Sequence, residues 1–397
     1  MPNERSLLMP FSVRQIAQDD KLCHQVNLEV LQEVYPRETV EQVLSDCHAW
    51  EKREKALSMV AIVYLVIALT LFPRLTIGGV LRRLASGARF LWPDPNEAVA
   101  TEGAICQRRQ QLGVTVLRQL FRRCCHPLAT PSTKGAFYRG RRVVAIDGTC
   151  EDVADDQHNA NYFGRINSGP TQSPFPQLRA LYLLECATHA IFDAVAAPCR
   201  VAEARLAPLL LRSITAQMLV LLDRGLFAGP LIQAMRQKGA HVVAGLESHV
   251  LTHPCTRLSD GSYLAWLSPQ ASHGLHKPLL LRVITYRIYA PGLPCHGELR
   301  RLVTTWLDPK QAPAKTLIEL YHERWEVELS IDEHKNHLRL AQQPLRSRRP
   351  QTVLQEFYGM LLLHYGLRFL LHRAATQGQL DPDRLSFCQA VALVQQA

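Results

Sequence analysis

Tyr321-His-Glu-Arg324-Trp-Glu-Val-Glu328-Leu-Ser-Ile-Asp-Glu-His-Lys335 carries the strongest pattern in this chain. From Ala314 to Gln343 there is no proline and no glycine, and Pro313 stands where a first-turn proline is tolerated. One long helix is therefore expected over this span. At about 100° per residue, Tyr321, Arg324, Glu328 and Lys335 fall within roughly 60° of arc. Leu320, Val327, Ile331 and Leu338 make an apolar stripe beside them. Such a helix can bury its stripe against a sheet and hold a phenol, a guanidinium, a carboxylate and an ammonium at the seam. A metal bound by Glu328, with Arg324 and Lys335 one and two turns away, suits phosphate. The ordinary alternative is a solvated face with i,i+4 charge pairs.

Two upstream segments share a second pattern. Arg142-Val-Val-Ala-Ile-Asp147-Gly-Thr149 is a run of four apolar residues closed by an aspartate and a glycine. It is expected to be a buried strand that ends in a turn at Asp147. An aspartate there is costly to bury unless it is paired or binds a cation; one that merely caps its turn fits the same residues. Met218-Leu-Val-Leu-Leu-Asp223-Arg-Gly225 repeats the pattern. Between the two lie an acidic, His-containing loop (151–164), two strands (176–185 and 191–196) and a helix (202–214). About a hundred residues separate Asp223 from Glu328, far too many for a simple connection. They hold a helix (230–238), a strand (241–246) and then β-rich text, above all Leu279 to Tyr289 and Glu298 to Leu307. Trp266 in this part suits a base-stacking role, or else a place in the core or on a sheet edge.

The N-terminal third reads differently. A helical pattern runs from Val30 to His48, restarting after Pro36, and a short amphipathic segment covers Ile77 to Leu84. Ala104 to Cys125 is a third helical stretch, carrying Arg108, Arg109, Arg118, Arg122 and Arg123. A DNA-binding module and a plain helical cap are both compatible with it. Ala56 to Phe72 is almost continuously apolar, at the lower edge of the length that spans a bilayer. With no second span, a buried helix is expected, and no membrane role. Residues 1–20 have no apolar core of the signal-peptide kind. The domains expected are 1–135 (mainly helical), 136–240 (first part of a sheet core), 241–310 (β-rich insertion) and 311–397 (the key helix and a helical C-terminal region).

Across 397 residues, 45 Lys+Arg stand against 35 Asp+Glu, a net charge of +10. That balance is compatible with a nucleic-acid partner without requiring one. The 11 cysteines form no CxxC pair and no His/Cys ladder, which points to reduced thiols in a cytosolic protein. Arg346-Ser-Arg348-Arg349-Pro350, just beyond the key helix, is either a phosphate-contacting turn or a solvated linker.

Tyr, two residues, Arg, three residues, Glu, six residues, Lys is the Y-R-E-K pattern, and in this the chain resembles the insertion-sequence-4 family of DDE transposases. Asp147-Gly148-Thr149 and Asp223-Arg224-Gly225-Leu226-Phe227 resemble the family's two aspartate turns. The resemblance spans roughly residues 30 to 370. It implies an α/β fold with a ribonuclease-H-like mixed sheet flanked by helices, a β-rich insertion before the catalytic helix and a helical N-terminal DNA-binding domain. Asp147, Asp223 and Glu328 would then be the catalytic, metal-binding triad. Two Mg²⁺ ions, replaceable by Mn²⁺, would activate the attacking oxygen and stabilise the leaving one. Arg324 and Lys335 would hold phosphates near the scissile bond, and Tyr321 would bond a phosphate or position Arg324. The implied partners are double-stranded DNA, as terminal inverted repeats and target, and a second protomer across paired ends, in a bacterial cytoplasm at the nucleoid. A catalytically silent DNA-binding descendant of a transposase, and an endonuclease of the same fold, are the rival expectations.

Overall fold

The computed structural model describes residues 30–51, 57–87, 100–168, 171–250, 252–269, 272, 274–289, 297–339 and 343–396. The polar N-terminal stretch 1–20, and Lys52, Arg53 and Lys55 ahead of the apolar segment, lie outside them.

The N-terminal part is helical. After a short turn of helix at Val30–Val34 come α1 (Arg37–Asp46), α2 (Met59–Ala68), α3 (Ile77–Gly87) and α4 (Glu102–Cys124). Ser58 caps α2 by accepting the Ala61 N–H, and Thr101 caps α4 by accepting that of Ala104. Every residue of α2 is buried, because other helices enclose it on all sides. It is ten residues long, and no helix among the described residues is long and apolar enough to cross a membrane. Arg108 and Arg109 turn inward: Arg108 donates to the Leu57 carbonyl, and Arg109 to Ser347 Oγ and the Thr352 carbonyl. Arg122 and Arg123 stay exposed.

The central sheet is built from β1 (Arg141–Asp152), β2 (Gln177–Glu185), β3 (Ile191–Pro198), β4 (Met218–Leu222) and β5 (His241–Leu246). Their order is β3-β2-β1-β4-β5. The first three form an antiparallel meander, and β4 and β5 join in parallel. This is the ribonuclease-H-like arrangement expected from the resemblance. β4 is buried at all five positions, as a central parallel strand covered on both faces must be. Along β1, Val143 and Ala145 enter one core and Val144 and Ile146 the other. Alternation therefore directs Asp147 and Thr149 to the first face and Gly148 to the second.

Four further strands extend the same sheet beyond β5: β6 (His253–Arg257), β7 (Tyr263–Leu267), β8 (Leu279–Arg287) and β9 (Leu299–Thr304). β9 pairs with β5, then β8, β7 and β6 follow, all antiparallel. The β-rich stretch is thus a continuation of the central sheet. Trp266 on β7 remains 42% exposed, so it is no core residue.

Four local expectations differ from the structure. Asp147-Gly148-Thr149 forms no turn: β1 runs on to Asp152, because β2 continues to pair with it as far as Gln177. Residues 151–164 are no mere loop, since Asp156 caps a helix, α5 (Gln157–Phe163). Over 202–214 only α6 (Glu203–Leu206) is α-helical; Pro208 follows, and Ala207–Ser213 tightens to 3₁₀. α7 (Gly229–Gln237) then leads into β5.

The fourth difference concerns the key helix, which is three pieces: α8 (Ala314–His322), α9 (Trp325–Asp332) and a π-helical turn (Glu333–His337). Neither break comes from proline or glycine. Arg324, at the first break, is drawn to carboxylates on the sheet. Glu333, at the second, is drawn into a buried cluster with Arg368 and His364. Tertiary ion pairs have overridden helical propensity. Residues 340–342, at the end of the expected helix, lie outside the described residues. Arg368 and His364 belong to α10 (Pro350–Gln377), a long and largely buried helix that packs on α2 and α4. α11 (Phe387–Gln396) closes the chain against it.

Candidate active site

β1 and β4 pair only as far as Ile146 with Leu222. The next residues, Asp147 and Asp223, therefore stand beside each other where β4 turns away and β1 continues. Asp223 caps the 3₁₀ turn Arg224–Leu226 by accepting the Gly225 N–H at 3.4 Å. α8 and α9 lie over the first face of the sheet at this point, with Leu317, Leu320 and Tyr321 buried in its core.

The break between α8 and α9 delivers Arg324 to both aspartates. Its guanidinium lies 3.1 Å from Asp147 Oδ2, 3.6 Å from Asp223 Oδ1 and 3.5 Å from Glu328 Oε1. All three sequence-expected carboxylates therefore converge on one buried cation. Burial opposes the charge of Arg324, but Asp223 and Asp147 outweigh it and raise its proton affinity. The buried Nε of Arg324 has no hydrogen-bond partner among the described residues.

The remaining motif residues surround this centre. Tyr321 is buried with its ring 5.9 Å from the Arg324 guanidinium carbon, and burial pushes its hydroxyl up to about 12. Lys335, on the π-turn, donates to Thr149 Oγ1 at 2.6 Å. Two residues earlier, Glu333 accepts from Arg368 Nε at 2.9 Å and meets His364 Nε2 at 3.0 Å, so the turn is tied to α10. Arg346 is spent elsewhere: it donates to the carbonyls of Leu69 at 2.8 Å and Leu75 at 2.7 Å, fastening the C-terminal part to the N-terminal helices. Arg348 and Arg349 are exposed.

Gly245 on β5 makes room for two of these groups. A Cβ there would stand 2.3 Å from Arg224 Cγ and 2.6 Å from Tyr321 Oη. Gly245→Val is therefore expected to displace Tyr321 and Arg224 and to cost about 1–3 kcal/mol of stability. Thermal denaturation beside a DNA-nicking assay checks this, with activity expected to fall further than stability explains. Sequence reasoning passed over Gly245, although a lone glycine in an apolar strand is a recognisable mark of close approach.

Asp147 is the electrostatically strained member. Burial, with Asp223 and Glu203 adding to it, outweighs the Gly148 N–H and Arg324, and its carboxyl is pushed up to about 6. Its proton affinity is thus higher folded than unfolded, so this group favours the fold at low pH and loses that contribution as pH rises through about 6. Asp147→Asn is expected to stabilise the metal-free protein by about 1–3 kcal/mol at pH 8 and by nothing at pH 4. Denaturant unfolding at the two pH values measures it.

The donor set also fits a metal. As placed, no three His, Cys, Asp or Glu side chains among the described residues are arranged to share an ion. Arg324 instead lies between Asp147, Asp223 and Glu328. Three hard oxygen donors gathered around one cation are suited to exchanging it for another. Asp147, Asp223 and Glu328 would hold the ion.

A sheet of this order, with carboxylates from within its first strand, from just past its fourth and from a following helix converging on one cation, has the ribonuclease-H-like arrangement. Residues 138–365 match the transposase DDE domain family and residues 25–122 the insertion element 4 transposase N-terminal family. The chain belongs to this family of insertion-sequence DDE transposases. It is 25% identical over 365 residues to the transposase InsG for insertion sequence element IS4 of Escherichia coli (strain K12), covering 90% of this chain and 80% of that one. A solved structure, the piggyBac transposase synaptic complex with hairpin DNA, is similar at TM-score 0.49 and 11% identity, covering 96% of this chain and 80% of that chain. The protein is thus a DNA-cleaving transposase of an insertion sequence, and DDE domains work with divalent metal ions.

Proposed function

We propose that Asp147, Asp223 and Glu328 are the catalytic triad, that Mg²⁺ is the working ion, and that the chain cuts the ends of its element and joins them to target DNA. The convergence of the three carboxylates on Arg324 carries this reading. Bound Mg²⁺, as a pair of ions for which Mn²⁺ can substitute, supplies charge for the attacking and leaving oxygens of an in-line displacement at phosphorus. Asp147 must be ionised to serve there, so its raised proton affinity couples ion loading to pH. Arg324, once displaced from the carboxylates, has a forked donor set free for a phosphate. Tyr321 stacks beside Arg324 and limits where it can go. Lys335, held at β1 by Thr149, offers a second cation on the same face for the flanking phosphate. Arg348 and Arg349 are exposed and suit backbone phosphates further out.

The helical region over 1–135 is assigned to recognition of the terminal inverted repeats, the residues over 136–240 and 311–397 to the catalytic core, and 241–310 to an extension of its sheet. Two protomers bridging two ends form the synaptic complex. The reaction takes place on the bacterial nucleoid, in the cytoplasm.

The test is a nicking assay on DNA carrying the native flanks of the gene. Mg²⁺-dependent cuts at a defined terminus, absent with EDTA, are expected. End-specific binding with no cleavage under any divalent ion would leave a DNA-binding protein instead.

A further inference from the structure

Alternate residues at the end of β1 meet the chain around and beyond the key helix in sequence order. Asp147 lies 3.1 Å from Arg324, and Thr149 accepts from Lys335 at 2.6 Å. Two residues on, Glu151 accepts from Arg339 Nη2 and lies 3.6 Å from His334 Nδ1. Two further, Val153 bridges to Leu345 in parallel: the Leu345 N–H reaches the Asp152 carbonyl and the Ala154 N–H the Leu345 carbonyl, both at 2.8 Å. Alternate strand residues stand about 7 Å apart, so Glu151 is about 7 Å beyond Thr149 and about 13 Å beyond Asp147. It is a neighbour of Lys335's position, and no ligand for an ion at the triad.

The backbone around Lys335 is the irregular part of this row. In the π-turn the Leu338 N–H bonds the Glu333 carbonyl, five residues back, at 2.9 Å. A return to α geometry would rotate the residues after the turn by about 100° relative to those before it. One anchor stands on each side. Glu333, at the start, is held by Arg368 and His364 of α10; Arg339, beyond the end, is held by Glu151 of β1. Both grips cannot survive the rotation. His334, beside Lys335, has its ring 5.1 Å from that of Tyr182 on β2, and it and Glu151 are fully buried. A buried ion pair contributes little net stability over apolar packing of the same volume, so what Glu151 and Arg339 supply is position.

We infer that Glu151 is a positioning residue for Lys335: by holding Arg339 and abutting His334 it keeps the turn wound in register on β1, with the ammonium at Thr149. The inference rests on the phosphate-holding role proposed for Lys335, and Glu151 belongs to none of the motifs that carry that role.

The test is single-turnover nicking of the element end by the full chain in four forms: wild type, Glu151→Gln, Lys335→Met and the two combined. Glu151→Gln is expected to slow nicking about tenfold, the worth of one charge-assisted hydrogen bond, but less than about twofold when Lys335 is already methionine. A change that merely weakened the fold would cost the same in both backgrounds. Glu151→Leu combined with Arg339→Met removes both buried charges at similar volume, so it is expected to fold even if Glu151→Gln does not. It should show the same loss and the same dependence on Lys335. Equal losses with and without Lys335, or wild-type nicking by both Glu151 variants, would overturn the inference while leaving the role of Lys335 intact. Wild-type nicking by Lys335→Met would overturn that role and the inference with it.

Discussion

Glu328→Ala is expected to lower metal-dependent nicking of the element end by at least about a thousandfold while leaving stability within about 0.5 kcal/mol of wild type. The contrast follows from where Glu328 sits. Its side chain is 58% exposed and among the described residues makes one ion pair, with Arg324 at 3.5 Å, so the fold gains little from it. It is nonetheless the one helix-borne member of the three carboxylates around Arg324. Taking it away removes a third of the negative charge and opens one side of the proposed metal position. Single-turnover nicking and a denaturant melt of the same preparation measure the two quantities. Equal loss of both would mean that Glu328 serves the fold and not the chemistry.

Arg324→Ala has the second largest expected effect, and its sign depends on the metal. Without a divalent ion at pH 8, Asp147, Asp223 and Glu328 lose their shared counter-charge, and stability is expected to fall by about 3 kcal/mol. The Asp147 carboxyl, already pushed up to about 6 with Arg324 present, would rise further. Divalent ions should then stabilise the variant more than they stabilise wild type, because they no longer displace a guanidinium. Nicking is expected to fall by about a hundredfold even at saturating metal, since the phosphate loses its forked donor. Thermal denaturation with and without Mg²⁺ tests the first part. An identical metal response in variant and wild type would show that Arg324 and the ion do not compete.

Much of this centre was legible in the sequence, for physical reasons. Asp147 and Asp223 each follow an apolar run that can only be a buried strand, so a charged group there needs a partner. Spacing alone placed Arg324, Glu328 and Lys335 on one side of a helix. The helix itself was misjudged. Nothing local breaks it at Arg324 or widens it at Glu333; the causes are Asp147 and Asp223 far upstream and Arg368 downstream. A sequence window cannot see partners at that separation. The aspartate-glycine pair misled in a different way, since Gly148 serves close approach within a continuing strand and not a turn. Arg346 misled too: its cluster suggests a phosphate contact or a solvated linker, and nothing nearby points to the carbonyls it bonds. Those carbonyls, of Leu69 and Leu75, lie in the connection between α2 and α3, far upstream in the chain.

The most direct measurement is the anomalous diffraction of Mn²⁺ in crystals of the protein bound to its own element end. Mn²⁺ peaks within coordination distance of Asp147, Asp223 and Glu328, with Arg324 turned away onto a DNA phosphate, are the expected result. Arg324 still lying between the three carboxylates, with Mn²⁺ bound elsewhere on the cleaving complex, would contradict the metal-for-guanidinium exchange on which the mechanism depends.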